Sequence, residues 1–223
     1  MRSDHQQRDT HRRGERALSI GRQWQFPRSR QSYSHAIPLK YPARMNPLTA
    51  DQAAFMLHTL GLPALRAEHT MTTAVVAAIP PGRADYRPHP DSRSAVDLAW
   101  HIVSAEIKYL DAIATGIFPY ELRPVPPEVR QTSDVLAWYT DRFEPAVKRL
   151  ETTSGEDLLQ LVDFYGLRTF PAIGLLQLIL NHTIHHRGQL STYLRPMGAK
   201  VPSIYGPSYD AGGFTGGVAR TTG

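Results

Sequence analysis

Four segments with the apolar periodicity of α-helices place the strongest constraint on how this chain can fold. Each carries apolar residues every three or four positions, and stretches rich in proline and glycine separate them. The predicted helices cover about 49–79, 94–115, 133–152 and 171–196. Because each helix has to bury its apolar face against the others, the pattern predicts an all-α fold, a four-helix bundle.

Local signals support several of these boundaries. Thr49, with a glutamine three residues later, matches a capping box. The run 61–63, Gly-Leu-Pro, is expected to kink or split the first helix. Gly116 marks the end of the second helix, and Pro171 suits the first turn of the fourth. Residues 154–170 fit either a short hairpin or a compact loop.

Charge divides the chain into regions. Residues 1–44 hold ten Lys and Arg against three Asp and Glu, a balance of +7, whereas residues 45–223 hold fifteen against seventeen, a balance of −2. The first segment lacks apolar periodicity, so we predict a disordered basic extension over 1–44, the bundle over 45–210 and a flexible glycine-rich tail over 211–223. Met45 resembles the natural start of a protein, which favours the interpretation that residues 1–44 are upstream sequence without a function of their own. Since the bundle is slightly acidic, no nucleic-acid partner is expected.

The composition excludes several classes of protein. The chain has no cysteine, so disulfides, thiolate metal ligands and cysteine nucleophiles are all ruled out. Histidine, carboxylate and water remain as metal ligands. The sequence contains no run of about 18 apolar residues, so no transmembrane helix is predicted. We therefore expect no membrane partner and a cytoplasmic location.

The stretch LILNHTIHHRGQL (178–190) places three of the chain's ten histidines within five positions of the fourth helix. On an α-helix His182 and His186 lie about 40° apart and about 6 Å apart along the axis, so both rings can reach one ion. His185 points to the other side of His182, about 100° away from His186. The pair four residues apart is therefore the better chelate, and His182 with His185 is the alternative.

The same pair also has an interpretation without a metal. Two histidines on a mainly apolar helix face are often hydrogen-bonded core residues. An H-E-x-x-H protease site is excluded, because no glutamate lies between His182 and His186 to act as a general base. A metal site needs a third ligand, and it has to come from another helix. Four histidines of the predicted bundle are candidates: His58, His69, His89 and His101.

Two longer stretches closely resemble the DinB-like (DinB/YfiT) metalloenzyme superfamily. They are YRPHPDSRSAVDLAWHIVSAE (86–106) and NHTIHHRGQLSTYLRPMGAKVPSIYGPS (181–208). The motif H-x-x-x-H-R-G-Q is moderately specific alone. Together with the upstream Trp-His pair and the downstream L-R-x-x-G-x-x-V-P-x-x-Y-G it is a strong signal. The similarity covers about 47–210, nearly all of the predicted bundle, and excludes both ends of the chain.

The resemblance implies a four-helix bundle that binds one divalent ion, usually zinc or nickel, through three histidines. One ligand lies on the second helix and matches His101. Two lie on the last helix, four residues apart, and match His182 and His186. This assignment makes His185 a neighbour of the site and not a ligand. Three imidazoles would leave a fourth position for water or substrate.

The resemblance also indicates a class of reaction. Relatives with known reactions use low-molecular-weight thiols, as S-transferases or maleylpyruvate isomerases. The resemblance therefore implies a metal-dependent thiol transferase, or a related detoxification enzyme, that uses a low-molecular-weight thiol and acts on a small-molecule substrate. The alternative is a non-catalytic metal-binding module of a stress response, in which the ion mainly braces two helices. Apolar loop residues would suit a homodimer contact: Ile117, Phe118 and Tyr120.

Four further residues are candidates for supporting the site. Asp97, one turn before the predicted ligand of the second helix, could orient an imidazole or serve only the helix start. Arg187 and Gln189 could orient ligands or bind an anionic substrate, and helix packing explains them equally well. Tyr193 lies on the face of the last helix that carries the predicted ligands. Glu106 is expected to be structural.

Overall fold

A computed structural model describes residues 47–121 and 124–212. The predicted basic extension, residues 1–44, lies outside the described residues, and so does the predicted tail from residue 213 onward. None of the described helices combines the length and the apolar composition needed to cross a membrane.

The described region is a helical bundle with a small hairpin. One uninterrupted helical segment at the start of the described region packs with three long helices that follow it. The all-α prediction is therefore confirmed, with the hairpin as an addition. The elements in chain order are α1 (Ala50–Phe55), a π-helical turn (Met56–Gly61), α2 (Leu62–Ala77), α3 (Ala95–Thr115), α4 (Thr132–Glu151), α5 (Gly155–Leu158), β1 (Leu161–Phe164), β2 (Arg168–Pro171) and α6 (Gly174–Leu194), followed by 3-10 turns at Arg195–Met197 and Tyr209–Ala211.

The first helical segment starts as predicted and contains one irregular turn. Thr49 Oγ1 accepts a hydrogen bond from the Gln52 N–H at 3.2 Å, and Gln52 Oε1 accepts one from the Thr49 N–H at 3.0 Å, so the capping box is confirmed. Pro63 has no N–H to donate to the carbonyl four residues before it. The preceding Leu62 N–H bonds to the Leu57 carbonyl, five residues back. The predicted interruption is thus a π-helical turn within a continuous helix.

Helix α3 lies at the centre of the bundle and packs against both α4 and α6. It begins after Ser94, whose Oγ accepts a hydrogen bond from the Asp97 N–H at 3.1 Å. It ends at Gly116, which adopts a left-handed φ of 70° that favours glycine. Both ends agree with the prediction. Along its length α3 buries large side chains such as Leu98 and Ile102.

The segment between α4 and α6 contains the antiparallel hairpin β1–β2, so the hairpin is the correct one of the two predicted alternatives. This hairpin makes the prediction for Pro171 wrong. Pro171 lies opposite Leu161 at the end of β2, and α6 begins only at Gly174. The Ala172 N–H still bonds to the Gln160 carbonyl at 2.8 Å, and Ala172 and Ile173 form a turn before α6.

The predicted homodimer contact contains one buried residue. Phe118 is only 5% exposed, whereas Ile117 is 71% and Tyr120 50% exposed. The Phe118 ring packs edge-on against Tyr109 and Phe164, with ring centroids 4.9 Å apart in both pairs. Phe118 therefore belongs to the interior of the chain, and including it in a contact surface was wrong.

Candidate metal centre

Three histidines from two helices converge at one point of the bundle. His101 lies on α3, and His182 and His186 lie one turn apart on α6. The Nε2 atom of His101 is 3.1 Å from that of His182 and 3.3 Å from that of His186. One nitrogen from each ring lies within 4.8 Å of the other two, and all three side chains are half-buried.

This spacing suits a metal ion better than it suits hydrogen bonds. An imidazole nitrogen carries either one proton or one free lone pair, so His101 Nε2 can hydrogen-bond to only one of its two neighbours. Zn–N bonds of about 2.0–2.1 Å with tetrahedral angles would place two ligand nitrogens about 3.3–3.4 Å apart. The two distances measured from His101 therefore fit an ion shared with His182 and with His186. Imidazole is a common ligand of zinc, nickel, copper and iron.

Burial keeps these imidazoles neutral. Together with the neighbouring rings and the positive charge of Arg93, burial lowers the pKa of His101 to about 3 and the pKa of His182 to about 4. Burial also lowers the pKa of His186, although its hydrogen bond to Gln189 opposes this effect. Neutral imidazoles at physiological pH have lone pairs free for a metal, because a protonated ring cannot act as a ligand.

Gln189 contacts the cluster directly. Its Oε1 lies 3.0 Å from Nδ1 of His186, and since an amide oxygen only accepts, the Nδ1–H donates. This bond leaves Nε2 of His186 without a proton and facing the other two rings. Nδ1 of His182 is buried and has no hydrogen-bond partner among the described residues. Among the described residues, no hydrogen bond to Nδ1 therefore orients the His182 ring.

The other three supporting candidates make their hydrogen bonds away from the imidazoles. Asp97 accepts from Arg87 Nη2 at 3.1 Å and belongs to the capping box of α3. Tyr193 is buried, and its hydroxyl lies 3.5 Å from the Arg93 carbonyl. The Arg187 side chain is buried inside the bundle. The structure thus brings Gln189, but not these three, into hydrogen-bond contact with a clustered histidine.

The remaining histidines lie outside the cluster. His185 is exposed, with its ring centroid 4.8 Å from that of His186 but without a nitrogen in the group of three. His58 and His89 are exposed. His69 stacks on Phe143, with ring centroids 3.8 Å apart, which makes it a packing residue of the core.

Arg187 forms the centre of a buried polar network on the inner side of α6. Its guanidinium makes an ion pair with the Glu68 carboxylate at 2.5 Å and also donates to Thr72 Oγ1 at 3.3 Å. The second terminal nitrogen donates to the Tyr205 hydroxyl at 2.6 Å, and that hydroxyl donates to Glu68 at 2.9 Å. The network joins α2, α6 and the segment after α6, which fixes the helix that carries two of the histidines.

Glu106 is the second buried carboxylate of this interior. The Tyr139 hydroxyl donates to its Oε2 at 2.7 Å, and its Oε1 has no hydrogen-bond partner among the described residues. Burial raises the pKa of Glu106 to about 7, with the nearby Glu68 charge adding to the effect, while Tyr139 and Arg187 oppose it. Glu106 is not part of the histidine group. It is buried and bonds to Tyr139, so its contacts are those of a core residue.

Sequence reasoning missed two residues beside the cluster. The positive charge of Arg93 lies close enough to lower the pKa values of all three histidines. The Tyr109 ring lies nearly parallel to that of His182, with centroids 6.3 Å apart. Nothing in the sequence distinguishes this arginine or this tyrosine from the others, because both contacts depend on how α3 packs against α6.

The fold and the site together define a helical-bundle protein with a candidate three-histidine metal centre. The model of the DinB family matches residues 56–213, and the chain belongs to the DinB family. The predicted resemblance is therefore confirmed.

Two relatives from Bacillus subtilis (strain 168) are similar to about half of this chain. The uncharacterized protein YrdA is 33% identical over 112 residues, which is 50% of this chain and 65% of YrdA. The uncharacterized protein YjoA is 30% identical over 115 residues, which is 51% of this chain and 73% of YjoA. The match thus spans slightly less than two thirds of YrdA.

Two crystal structures of DinB-like proteins share the fold. The Bacillus subtilis protein YjoA is 24% identical with a TM-score of 0.54, over 66% of this chain and 98% of its own. A DinB-like protein from Bacillus cereus ATCC 10987 is 26% identical with a TM-score of 0.56, over 65% of this chain and 95% of its own. Nearly the whole of each structure therefore corresponds to the bundle described above.

Proposed function

We propose that this protein is a divalent-metal-dependent enzyme that acts on a small molecule, with His101, His182 and His186 as the metal ligands. The observation that carries the proposal is the convergence of three imidazole nitrogens from α3 and α6, with His101 Nε2 at 3.1 Å from His182 Nε2 and at 3.3 Å from His186 Nε2. A structural zinc site normally has four protein ligands, whereas a catalytic site has three and an open position. The described residues offer three.

The reaction we propose is the transfer of a low-molecular-weight thiol to an electrophile, or a related detoxifying reaction. A zinc or nickel ion in this site would favour the ionised form of a bound thiol, because three neutral ligands leave its charge undiminished. The chain's own residues prepare the site: burial keeps the imidazoles neutral, and Gln189 orients His186. Membership of the DinB family supports a metal site.

The proposed reaction is compatible with a cytoplasmic location. Low-molecular-weight thiols are kept reduced in the cytosol, and the chain itself has no cysteine that could exchange with them. The positive charge of Arg93 beside the histidines would favour anionic thiols or substrates.

A second candidate function is a non-catalytic metal-binding module. The observation that favours it is that the three histidines connect α3 and α6, two long helices that pack directly against each other. An ion held between them would brace the bundle without any reaction. In that case metal would raise stability, and thiol addition would proceed at the uncatalysed rate.

Metal content and thiol reactivity, measured on the same full-length samples, test the proposal. We expect about one zinc or nickel ion per chain and an acceleration of thiol addition to a small Michael acceptor. The His101→Ala variant should lose both, because two ligands from one helix hold an ion poorly. His185→Ala is the matched control, since it removes an exposed neighbouring histidine and should keep both.

The outcomes separate the two candidates. Bound metal without rate acceleration for several thiols would favour the bracing module. Unchanged metal content in His101→Ala would overturn both candidates, because the ion would then be bound elsewhere.

A further inference from the structure

Aromatic side chains in mutual contact form a continuous group next to the His182 side of the cluster. We call Tyr109, Phe118, Phe164 and Tyr165 the aromatic wall. Tyr109 and Phe118 meet edge to face with centroids 4.9 Å apart, and Phe118 contacts Phe164 at 4.9 Å and Tyr165 at 5.1 Å. The wall reaches the histidines through Tyr109, whose ring is inclined by only 27° to that of His182.

A buried lysine fixes the far end of this wall. Lys108 is 6% exposed, and its ammonium donates to the Glu121 carbonyl at 3.0 Å and to the Tyr165 hydroxyl at 3.1 Å. The same ammonium lies over the Phe118 ring at 4.7 Å from its centroid. Because Lys108 follows His101 by seven residues, two helical turns, both lie on the same side of α3. The lysine therefore holds the hairpin against the face that carries the site.

The hairpin adopts an unfavourable backbone conformation at the residue that meets Lys108. Tyr165 has a φ of 58°, and among the described non-glycine residues it alone has a positive φ. This left-handed conformation is disfavoured for a bulky side chain. Such conformations persist where surrounding contacts over-determine them, often at ligand sites. Its contacts with Lys108, Phe118 and Phe164 hold Tyr165 in this conformation.

Tyr109 is the member of the wall that combines proximity to the histidines with access to solvent. Its side chain is half-buried. Phe118, by contrast, is almost completely buried. Tyr109 is therefore the member of the wall that a small molecule held by the three histidines would contact. Aromatic rings prefer stacked or edge-to-face partners with centroids about 4.5–7 Å apart.

We infer that the aromatic wall is the specificity-determining surface of the site, with Tyr109 as its contact residue. It selects metal-bound ligands that carry a flat aromatic group. The inference rests on the proposed function, since it requires a ligand held at the metal, and it adds the class of ligand.

Thiol titrations of the cobalt(II)-loaded protein test this inference without an activity assay. Binding of a thiolate to cobalt changes the visible absorption, which gives an affinity for each thiol. The probes are phenylmethanethiol and cyclohexylmethanethiol, which differ mainly in the flatness of the ring. We expect phenylmethanethiol to bind about 2- to 10-fold more tightly than its cyclohexyl analogue. Tyr109→Phe should keep this preference and Tyr109→Ala should lose it.

Two further variants protect the test against a folding defect. Tyr165→Gly removes another ring of the wall, and glycine tolerates the backbone conformation at this position, so the protein should fold and the preference should fall. Tyr209→Ala removes a tyrosine that is 79% exposed and should leave the preference unchanged.

The outcomes distinguish this inference from the proposed function. Equal affinities of the two thiols for the wild-type protein, or an unchanged preference in Tyr109→Ala and Tyr165→Gly, would overturn the inference and leave the metal site intact. A wild-type protein that takes up no cobalt would overturn the proposed function, and the inference with it.

Discussion

Helix α6 presents polar side chains on two faces, and the two faces differ in whether the chain itself supplies partners for those side chains. On the inner face, Arg187 meets the Glu68 carboxylate, the Thr72 hydroxyl and Tyr205, so its charge and its donors have partners within the chain. On the other face, His182 and His186 meet His101 with nitrogens directed at one another. The first group contains its own counter-charge, and the second group does not.

This difference separates a stabilising network from a candidate binding site. A buried cation paired with a carboxylate and further hydrogen bonds needs no external group. Three neutral imidazoles that face each other cannot all hydrogen-bond, and a cation would complete them. Two groups one residue apart on one helix, His186 and Arg187, therefore belong to different kinds of site. The predictions below test that distinction, beginning with the largest expected effect.

The largest effect is expected from breaking the buried ion pair. Arg187→Met leaves the Glu68 charge buried without its partner, and we expect a loss of about 3–5 kcal/mol in the free energy of unfolding. For a chain of this size the loss corresponds to a fall in Tm of about 6–20 °C. Thermal and urea unfolding of the metal-free protein measure it.

Arg195→Met is the matched control for this variant. Arg195 also pairs with a carboxylate, Asp210 Oδ2 at 3.0 Å, but its side chain is 59% exposed, so a change of about 0–1 kcal/mol is expected. Restoring an apolar pair with Glu68→Met in the Arg187→Met background should recover part of the lost stability. An Arg187→Met protein as stable as the Arg195→Met protein would show that the inner network does not stabilise the fold.

The next effect concerns Glu106 and depends on pH. Its pKa is raised from 4.5 to about 7 in the folded protein, so folding is most favoured while the carboxyl is protonated. The stability from this group is fully present below about pH 4.5 and is lost as pH rises through 7, by up to about 3 kcal/mol. Glu106→Gln should lack this loss. Urea unfolding at pH 5 and pH 8, with a chelator present, measures the difference.

The exposed Glu128→Gln is the control for the pH experiment. The histidines contribute the opposite trend, because their lowered pKa values favour folding as pH rises, but the variants share that contribution with the wild type. Parallel pH profiles of the wild type and Glu106→Gln would mean that Glu106 is already ionised in the folded protein at pH 5.

Removal of the metal should have an intermediate effect confined to the histidine face. With a free ion at 100 times its dissociation constant, binding adds about 2.7 kcal/mol to the free energy of unfolding. A chelator should therefore lower the Tm of the metal-loaded wild type. The same chelator should leave His182→Ala unaffected, since that variant lacks a ligand. An equal fall in both proteins would place the stabilising ion outside the three-histidine group.

The smallest effect is expected for the hydrogen bond that orients His186. Gln189→Ala removes the acceptor of the Nδ1–H, and loss of such an outer partner typically weakens metal binding by about 10–100-fold. Competition titrations with a chromophoric chelator measure the affinity. Gln177→Ala is the control, because Gln177 lies on the same helix and bonds only to Asn181 in the structure. Equal affinities of the two variants would remove Gln189 from the site.

Much of the fold could be predicted because its signals are local. The capping box at Thr49 and the glycine at 116 that ends α3 each depend on residues a few positions apart. The start of α6 could not be predicted in the same way. Pro171 is acceptable both in the first turn of a helix and at the end of an edge strand, and pairing with β1 decides between them.

The candidate site likewise has features that local sequence signals predict and features that they do not. The i, i+4 spacing of His182 and His186 indicated a shared face from helix geometry alone, and it separated them from His185. The residue pattern left four candidates for the third position, and the family resemblance indicated His101. The structure brings those three together. Gln189 was a candidate for orienting a ligand, and its contact with His186, three residues away on the same helix, is again a local relation.

The sequence by itself determined the approximate extents of the long helices, which histidines share a helix face and which family the chain resembles. These features follow from local backbone geometry and from motifs within short stretches. Only the tertiary structure decided that Arg187 turns inward to Glu68, 119 residues away, that Tyr109 lies beside His182, and that Lys108 holds the hairpin. Such contacts depend on the packing of one helix against another, and helical periodicity fixes the face of a residue but not its partner across the interface.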